Sequence, residues 1–167
     1  VSTGTFFISL KTVNYKLSTT DYKIVANLPY YITSRFLRIF LPSEIRSPSM
    51  MVLMLQHEVA ERICAKPPNM NLLALSVQAF GTPKIIARVS RSAFKPSPSV
   101  NSAIIKITNI SNAFFEKKKI KQKDFFAVIR KAFSQKRKML RVSLGKNVKS
   151  SVFNKKRPQE LSLEEWV

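Results

Sequence analysis

The chain has 167 residues, 45% of them hydrophobic, so it can bury a core and is not a disordered segment. Its formal net charge of +20 predicts attraction to a polyanion, with nucleic acid favoured over a membrane surface. No stretch approaches the roughly 18 apolar residues of a membrane span, and the single cysteine, Cys64, excludes an intrachain disulfide and a cysteine-based zinc cluster.

The start of the chain and its lone histidine carry further expectations. Val1-Ser2-Thr3-Gly4 has neither an initiator methionine nor a basic stretch ahead of an apolar one. We therefore expect no signal peptide and interpret the sequence as entering a longer protein part-way. A single cysteine fits a reducing compartment, and we expect the cytoplasm. His57 is expected on the surface of a helix.

Strand and helix patterns alternate over the first two thirds of the chain. Apolar runs of strand length cover residues 5–10, 23–26, 50–55, 84–89 and 102–108. Helices are predicted from a cap at Thr33 or Ser34, with Ile32, Phe36, Ile39 and Phe40 on the apolar face, then over 57–65, and over 72–80 with Asn71 as the cap. Because the run at 50–55 is apolar throughout, we expect helices on both of its faces. The alternation predicts an α/β fold whose sheet is parallel for the most part.

The character of the sequence changes near Ser111. Between Glu116 and Arg157 there are 16 Lys or Arg residues and 2 acids, so most of the net charge lies in this segment. Two helices are predicted there: one capped by Asp124 with Phe125, Phe126, Ile129 and Phe133 on one side, and one capped by Ser134 over 135–144 and closed by Gly145. We divide the chain into a sheet domain, residues 1–110, and a small basic helical domain, residues 111–167.

The segment Asn27-Leu28-Pro29-Tyr30 ends a short apolar strand and leads into a helix. The N6 nitrogen of adenine is a poor nucleophile because its lone pair is delocalised into the ring; acceptors for the amine hydrogens favour a pyramidal nitrogen with a free lone pair. The Asn27 side-chain oxygen is one acceptor, and the Leu28 carbonyl is a second because Pro29 biases Leu28 away from helical geometry. Tyr30 offers a ring for base stacking, worth about 1–3 kcal/mol. The alternative is an ordinary turn that ends a strand.

Two further segments bear on the same task. In residues 93–102, Pro96 and Pro98 favour a stiff, extended loop that can hold Phe94 opposite Tyr30, so that two rings sandwich a base. The alternative is that Phe94 anchors the loop in the core.

The segment Phe133–Arg141 places four cations at a predicted helix start and along its first turns: Lys136, Arg137, Lys138 and Arg141. Cations at that end oppose the helix dipole, so we expect them to contact RNA phosphates. The alternative is a solvated basic face.

Taken in chain order, four segments resemble one family. They are Asn27–Ile32, Leu55–Val59, Phe94–Ser102 and Phe133–Gly145. The set resembles the ribosomal RNA adenine N6,N6-dimethyltransferases, which dimethylate two adjacent adenosines near the 3′ end of small-subunit rRNA. The resemblance covers nearly the whole chain. The erythromycin-resistance methyltransferases and a mitochondrial transcription-factor branch share parts of it, and the basic segment is closer to the small-subunit group.

The resemblance implies a Rossmann-like methyltransferase sheet followed by a helical domain that grips rRNA, with S-adenosylmethionine as the methyl donor and without a metal or a covalent enzyme intermediate. By resemblance, Asn27, Leu28, Pro29, Tyr30 and Phe94 form the catalytic site, and Asn27 also borders the cofactor. Transfer would be direct, to a flipped or unpaired adenine, with positioning supplying most of the rate. The implied partner is small-subunit rRNA or the small ribosomal subunit; we expect a monomer and no membrane partner.

The sequence also departs from the family pattern. The family's Gly-rich cofactor loop and the acidic residue that holds the ribose are not matched, since the chain has 3 glycines and none in a G-x-G arrangement. Where the family has a Gly-Asp pair whose Asp contacts the cofactor adenine, this chain has Gly4-Thr5, which makes Thr5 a candidate cofactor contact. We therefore interpret the chain as an internal fragment that is inactive alone.

Three alternatives remain open from the sequence. The first is a non-catalytic RNA-binding or ribosome-assembly protein that keeps a relic methyltransferase fold, favoured by the missing cofactor loop. The second is an N6-adenine DNA methyltransferase, which uses a similar amine-binding loop. The third is a basic ribosomal protein, which explains the charge but not the α/β pattern.

Overall fold

The computed structural model describes residues 4–7, 22–41, 47–145 and 155–167. Its strands are β1 (Gly4–Phe7), β2 (Tyr22–Asn27), β3 (Met50–Gln56), β4 (Thr82–Val89) and β5 (Ser102–Thr108). Its helices are α1 (Thr33–Phe40), α2 (His57–Ile63), α3 (Leu72–Gln78), α4 (Ala113–Lys118), α5 (Gln122–Ser134) and α6 (Leu140–Ser143). The predicted strands are confirmed with small shifts at their ends, except that residues 8–10 of the first lie outside the described residues.

The strands form one mixed sheet in the order β1-β2-β3-β5-β4. β1, β2 and β3 run parallel, whereas β5 is antiparallel to both β3 and β4. The predicted α/β fold is confirmed, but a sheet parallel for the most part is wrong, because two of the four strand pairings are antiparallel. Residues 90–101 return the chain without a crossover helix, and a direct return produces an antiparallel pair.

One face of the sheet forms the core. On β3, Met51, Leu53 and Leu55 are completely buried, and by register they lie beside Ile24 of β2 and Ile105 of β5. The same core includes side chains from α1 through α5. On the other face the intervening residues of β3 are only half-buried. The described helices pack into one core on one side of the sheet, so the prediction that helices cover both faces of β3 is not confirmed within the described residues.

Helix α1 follows the predicted periodicity with two corrections. Phe36 and Leu37 are buried, but Ile39 is 57% exposed and lies outside the apolar face. Neither Thr33 nor Ser34 caps the helix: Thr33 is its first residue, and its hydroxyl donates to the Tyr30 carbonyl at 3.3 Å. The short 3-10 turn at Tyr30–Ile32 enters the helix directly, which leaves no extended residue to act as a side-chain cap.

The cap predicted for α3 is confirmed. The Asn71 side-chain oxygen accepts from the Ala74 N–H at 3.0 Å, and its amide nitrogen donates to the Arg62 carbonyl at 2.8 Å. On the same helix, Gln78 donates to the carbonyls of Ile63 and Ala65. These bonds tie α3 to the end of α2 and hold the helical layer against the sheet.

The segment after β5 packs onto the same core. Helix α4, which the sequence did not predict, joins α3 and α5 through a cluster of rings: Phe80, Phe114, Phe115, Phe125 and Phe126. The predicted apolar side of α5 is confirmed, since its four residues are buried or half-buried in this core. Asp124 is not its cap: the helix begins at Gln122 and Asp124 lies in the first turn. The boundary at residues 110 and 111 stays a prediction.

The next helix is shorter than predicted. Ser134 ends α5, and its hydroxyl donates back to the Lys131 carbonyl at 2.8 Å instead of capping a following helix. A turn separates it from α6, which covers four residues of the predicted 135–144 span and is followed by Gly145 at φ +67°. Leu140 of α6 packs with Ala132 and Leu161 in a second small core. Hydrogen bonds from Lys156 and Ser162 lower the pKa of the nearby Glu165 carboxyl to about 2.

Candidate active site

The segment Asn27–Tyr30 lies at the carboxyl end of β2, next to the end of β3. Asn27 is the last residue of the strand and is exposed, whereas the Leu28 side chain is buried and its N–H donates to the Met54 carbonyl at 3.0 Å. Among the described residues, no hydrogen bond uses the Asn27 side chain or the Leu28 carbonyl. Within the described part of the chain, both acceptor oxygens therefore lie without a protein partner, next to a backbone that the Leu28 N–H bond fixes.

Tyr30 is fixed at the end of its ring. Its hydroxyl lies 2.9 Å from the hydroxyl of Ser102, a residue 72 positions away that is 2% exposed. The Tyr30 carbonyl accepts from Thr33, and the Pro29 carbonyl accepts from the Ile32 N–H at 3.1 Å. The ring therefore has a defined orientation before any ligand binds.

Phe94 lies in the loop between β4 and β5. The loop is tied to itself: Arg91 N–H donates to the Asn101 side-chain oxygen at 3.0 Å, and the Ser97 hydroxyl donates to the Arg91 carbonyl at 2.9 Å. Phe94 is half-buried and belongs neither to the core nor to the side chains packed against it. The loop is not uniformly extended as predicted, because bends interrupt it at 94–96 and 99–100.

The two segments enclose an open cavity of about 280 Å³. Its lining consists of Asn27, Leu28, Pro29 and Tyr30 on one side and Phe94, Pro96, Pro98 and Ser102 on the other. The structure thus brings together all five residues predicted for catalysis. The cavity is near the lower end of the roughly 300–1,000 Å³ range of small-molecule sites, a size suited to one planar base. Among the described residues, no carboxylate, imidazole or amine side chain lines it.

The cations predicted to contact RNA lie elsewhere in the chain. Lys136, Arg137 and Lys138 occupy the turn between α5 and α6, Arg141 lies on α6, and all four are exposed. Their expected position at a helix start is wrong for the first three, which follow the carboxyl end of α5. A cation there complements the helix dipole, so opposition to the dipole does not mark them as functional. What still favours an RNA contact is that all four side chains are exposed and that their positive charges lie close together in the sequence.

His57 and Cys64, the single histidine and the single cysteine, do not line the cavity. His57 begins α2 as expected, but its side chain is only 21% exposed, with Nε2 3.7 Å from the Glu61 carboxylate. Burial raises the pKa of the Cys64 thiol, which does not favour a reactive thiolate.

Within the described ranges, every helix is too short or too polar to span a bilayer, and no group of three or more His, Cys, Asp or Glu side chains is arranged to hold a metal.

The family model of ribosomal RNA adenine dimethylase matches residues 7–162 of this chain. The chain belongs to this family. Ribosomal RNA small subunit methyltransferase A of Dehalococcoides mccartyi (strain CBDB1) is 41% identical over 157 residues, which cover 87% of this chain and 53% of the relative. The protein of the same name from Clostridium botulinum (strain Kyoto) is 36% identical, covering 86% of this chain and 56% of the relative. The chain therefore spans about half the length of these relatives.

Solved structures agree with the family assignment. A dimethyladenosine transferase from Plasmodium falciparum superposes with a TM-score of 0.73 and 25% identity, covering 95% of this chain and 67% of that one. The 23S rRNA methyltransferase ErmE superposes with a TM-score of 0.59 and 20% identity, over 87% of this chain and 65% of that one, and shares the fold. The predicted Rossmann-like methyltransferase fold is confirmed.

Membership of this dimethylase family implies S-adenosylmethionine as the methyl donor, for which the sequence offers Asn27 and Thr5 as candidate contacts. Asn27 lines the cavity. Thr5 pairs in register with Lys23 of β2, four residues before Asn27, so the two candidates lie roughly 13 Å apart along the strand direction. No step of the reaction is assigned to Thr5.

Ser102, Pro96 and Pro98 line the cavity but were not predicted as site residues. The sequence held a partial signal. Together with Phe94 these residues stand at positions 94, 96, 98 and 102, so that the intervals are two, two and four residues. That spacing would place side chains on one side of an extended chain, but the bends at 94–96 and 99–100 mean that it does not by itself account for the shared wall. The partner of Ser102, however, depends on a contact that no local pattern encodes.

Proposed function

We propose that the protein to which this chain belongs is an S-adenosylmethionine-dependent methyltransferase that dimethylates the N6 amine of adenosines in small-subunit ribosomal RNA. The observation that carries the proposal is the cavity that joins Asn27–Tyr30 to Phe94, with two acceptor oxygens beside two aromatic rings. Family membership supports the reaction class, and the small-subunit names of the relatives support the substrate.

The chemistry assigned to the cavity is positioning and polarisation. An adenine held between Tyr30 and Phe94 places its exocyclic amine toward the carboxyl end of β2. The Asn27 side-chain oxygen and the Leu28 carbonyl accept the two amine hydrogens, which localises the nitrogen lone pair. The fixed Tyr30 ring reduces the entropy lost on stacking. S-adenosylmethionine, when bound, supplies an electrophilic methyl group.

The N6 nitrogen must also lose one proton after it has accepted the methyl group. As the nitrogen gains a methyl group it becomes positively charged, and the two acceptor oxygens stabilise that charge. None of the described residues that line the cavity has a side chain that readily takes a proton, so we assign the proton to water at the open mouth. An adenine inside a helix cannot reach this cavity, so the substrate nucleotide is unpaired or flipped out.

Affinity for the RNA comes from a different part of the chain. Lys136, Arg137, Lys138 and Arg141 are exposed on and beside α6, in the segment that carries most of the net charge. Phosphate contacts of this kind supply sequence-independent binding, whereas the cavity selects the base.

The decisive experiment is a chimera in which residues 1–167 replace the matched segment of the Dehalococcoides mccartyi relative. Transfer of labelled methyl groups from S-adenosylmethionine to unmethylated small ribosomal subunits is measured. We expect the chimera to be active and Asn27→Ala to lower the rate by about 100-fold or more, the usual cost of losing one preorganised polar contact to the reacting group. Its RNA affinity should be unchanged.

Asn69→Ala serves as the matched control, because Asn69 is an exposed turn residue away from the cavity. Both variants should fold like the parent chimera by circular dichroism. Equal methyl transfer by the two variants would remove Asn27 from the mechanism.

A second candidate, a non-catalytic RNA-binding or ribosome-assembly protein, is favoured by one observation: the 3 glycines of the chain form no G-x-G arrangement of the kind that a Gly-rich cofactor loop uses. This function predicts that the chimera binds small subunits with normal affinity but transfers no methyl groups, whatever residue stands at position 27.

A further inference from the structure

A second cleft, of about 520 Å³, opens at the carboxyl end of β3. One side is formed by the end of the strand and the start of α2, and the other by the loop between β4 and β5. The lining residues are Gln56, His57, Glu58, Arg91, Ser99, Val100 and Asn101. None of them lines the adenine cavity, so the cleft is a separate feature of the surface.

The cleft and the adenine cavity share one wall. Residues 94–102 contribute Phe94, Pro96, Pro98 and Ser102 to the cavity, and Ser99, Val100 and Asn101 to the cleft. The opposite walls are also neighbours, because β2 and β3 are paired and adjacent strands lie about 4.8 Å apart. A strand of nucleic acid that places one base in the cavity can therefore cross this loop within one nucleotide step.

The polar groups of the cleft suit a nucleotide. Arg91 has no acidic partner among the described residues, while its backbone is held by Asn101 and Ser97, so its guanidinium is available on a fixed base. A guanidinium matches the geometry of a phosphate. Gln56 adds an amide that can donate to and accept from a base edge, and Glu58 adds an acceptor for exocyclic amines.

We propose that this cleft binds the nucleotide next to the target adenosine in the same RNA strand, with Arg91 on the phosphate and Gln56 on the base edge. The proposal rests on the proposed function, since it takes the adenine cavity as the place of the target base. Asn101 acts as a positioning residue: its side chain holds Arg91 N–H, and its carbonyl accepts from the His57 N–H at 3.0 Å.

The test is an NMR titration of the isotopically labelled 167-residue chain with adenosine and, separately, with the dinucleotide adenylyl-3′,5′-adenosine. Adenosine is expected to shift the signals of Asn27, Tyr30 and Phe94 only. The dinucleotide is expected to shift these and also those of Gln56 and Arg91. Arg91→Gln should weaken the dinucleotide about tenfold and leave adenosine binding unchanged, because a charge-assisted bond to phosphate is lost.

Arg88→Gln is the matched control: this arginine lies three residues earlier, is 74% exposed in its side chain and does not line the cleft. Gln56→Ala provides a second variant that leaves the loop intact. If the dinucleotide leaves Gln56 and Arg91 unshifted, or if Arg88→Gln weakens it as much as Arg91→Gln, the cleft proposal is overturned. Shifts in the cleft without shifts at Asn27 and Tyr30 would instead support the cleft and contradict the proposed function.

Discussion

At the scale of single residues, the site depends on groups whose polar atoms are held or left available by their neighbours. Tyr30 and Ser102 meet through a 2.9 Å hydroxyl contact, and Leu28 is pinned by Met54. By contrast, the Asn27 side chain has no hydrogen-bond partner among the described residues. An oriented ring beside an acceptor is an arrangement suited to a flat base with an exocyclic amine.

The first prediction concerns the contact between Tyr30 and Ser102. Ser102→Ala removes the hydroxyl that orients the ring, and adenosine binding measured by NMR titration should weaken about 2- to 10-fold, the value of a neutral hydrogen bond. Tyr30→Phe removes the same bond and should have the same effect. The double variant should lose no more than either single one, because both changes delete one interaction. Additive losses would show that Ser102 acts on the ligand by another route.

At the scale of elements, the β4–β5 hairpin builds one wall of both openings. The hairpin begins soon after α3, and Gly81 lies in the short connection between the end of that helix and the start of β4. A Cβ at this position would lie 2.9 Å from Ile107 Cγ2 and 3.0 Å from the Thr108 carbonyl oxygen. The close approach of this turn to β5 therefore sets where the hairpin, and with it the loop that carries Phe94, meets the rest of the sheet.

The second prediction follows from that approach. Gly81→Ala should lower the free energy of unfolding by about 1–3 kcal/mol, because the new methyl group meets backbone as well as a buried side chain. The measurement is urea denaturation followed by circular dichroism. Gly145→Ala makes the comparison: nothing lies within 4 Å of its Cβ, and only its φ of +67° opposes the change, at a cost of about 1 kcal/mol. A Gly81→Ala variant as stable as the parent would show that the hairpin tolerates displacement.

At the scale of the whole molecule, charge and chemistry are separated along the chain. The cavity lined by Asn27–Tyr30 and Phe94 lies at the carboxyl end of β2, and its described lining is uncharged, whereas most of the net +20 charge lies in residues 116–157. This division suits an enzyme that draws in an RNA through its backbone and then selects one base. It also means that binding and chemistry can be impaired independently.

The third prediction tests the electrostatic part. The double variant Arg137→Ala/Lys138→Ala should weaken rRNA binding and reduce the slope of log affinity against log salt concentration by about 0.7 per lost contact. Lys84→Ala/Lys106→Ala is the control with equal charge, since these residues pair in register on β4 and β5 and both are exposed. Equal changes in both variants would assign the effect to net charge alone.

The fourth prediction concerns the methyl donor. The 167-residue chain should bind S-adenosylmethionine weakly or not at all by calorimetry, because no G-x-G arrangement for a cofactor loop occurs in the sequence. The chimera with the relative should bind it, which controls for folding of this segment. Micromolar binding by the chain alone would contradict the prediction.

Much of this fold could be predicted from local sequence patterns. Alternating apolar runs located the strands, and the spacing of Phe125, Phe126, Ile129 and Phe133 located the buried side of α5, because periodicity reports burial directly. Helix starts were less predictable: Asp124 and Ser134 are good caps by type, yet the helices begin elsewhere. A cap is chosen by where packing places the first turn, not by side-chain type alone.

By itself the sequence determined the composition of the site: a strand ending in two acceptors and an aromatic ring, and a proline-stiffened loop with a second ring. Only the tertiary structure decided that these segments face each other, because Tyr30 and Ser102 are 72 positions apart and meet through an antiparallel return that no local pattern encodes. The cleft beside them was likewise invisible in the sequence. Its walls come from the end of β3 and the far side of the same loop, and only the pairing of strands brings them together.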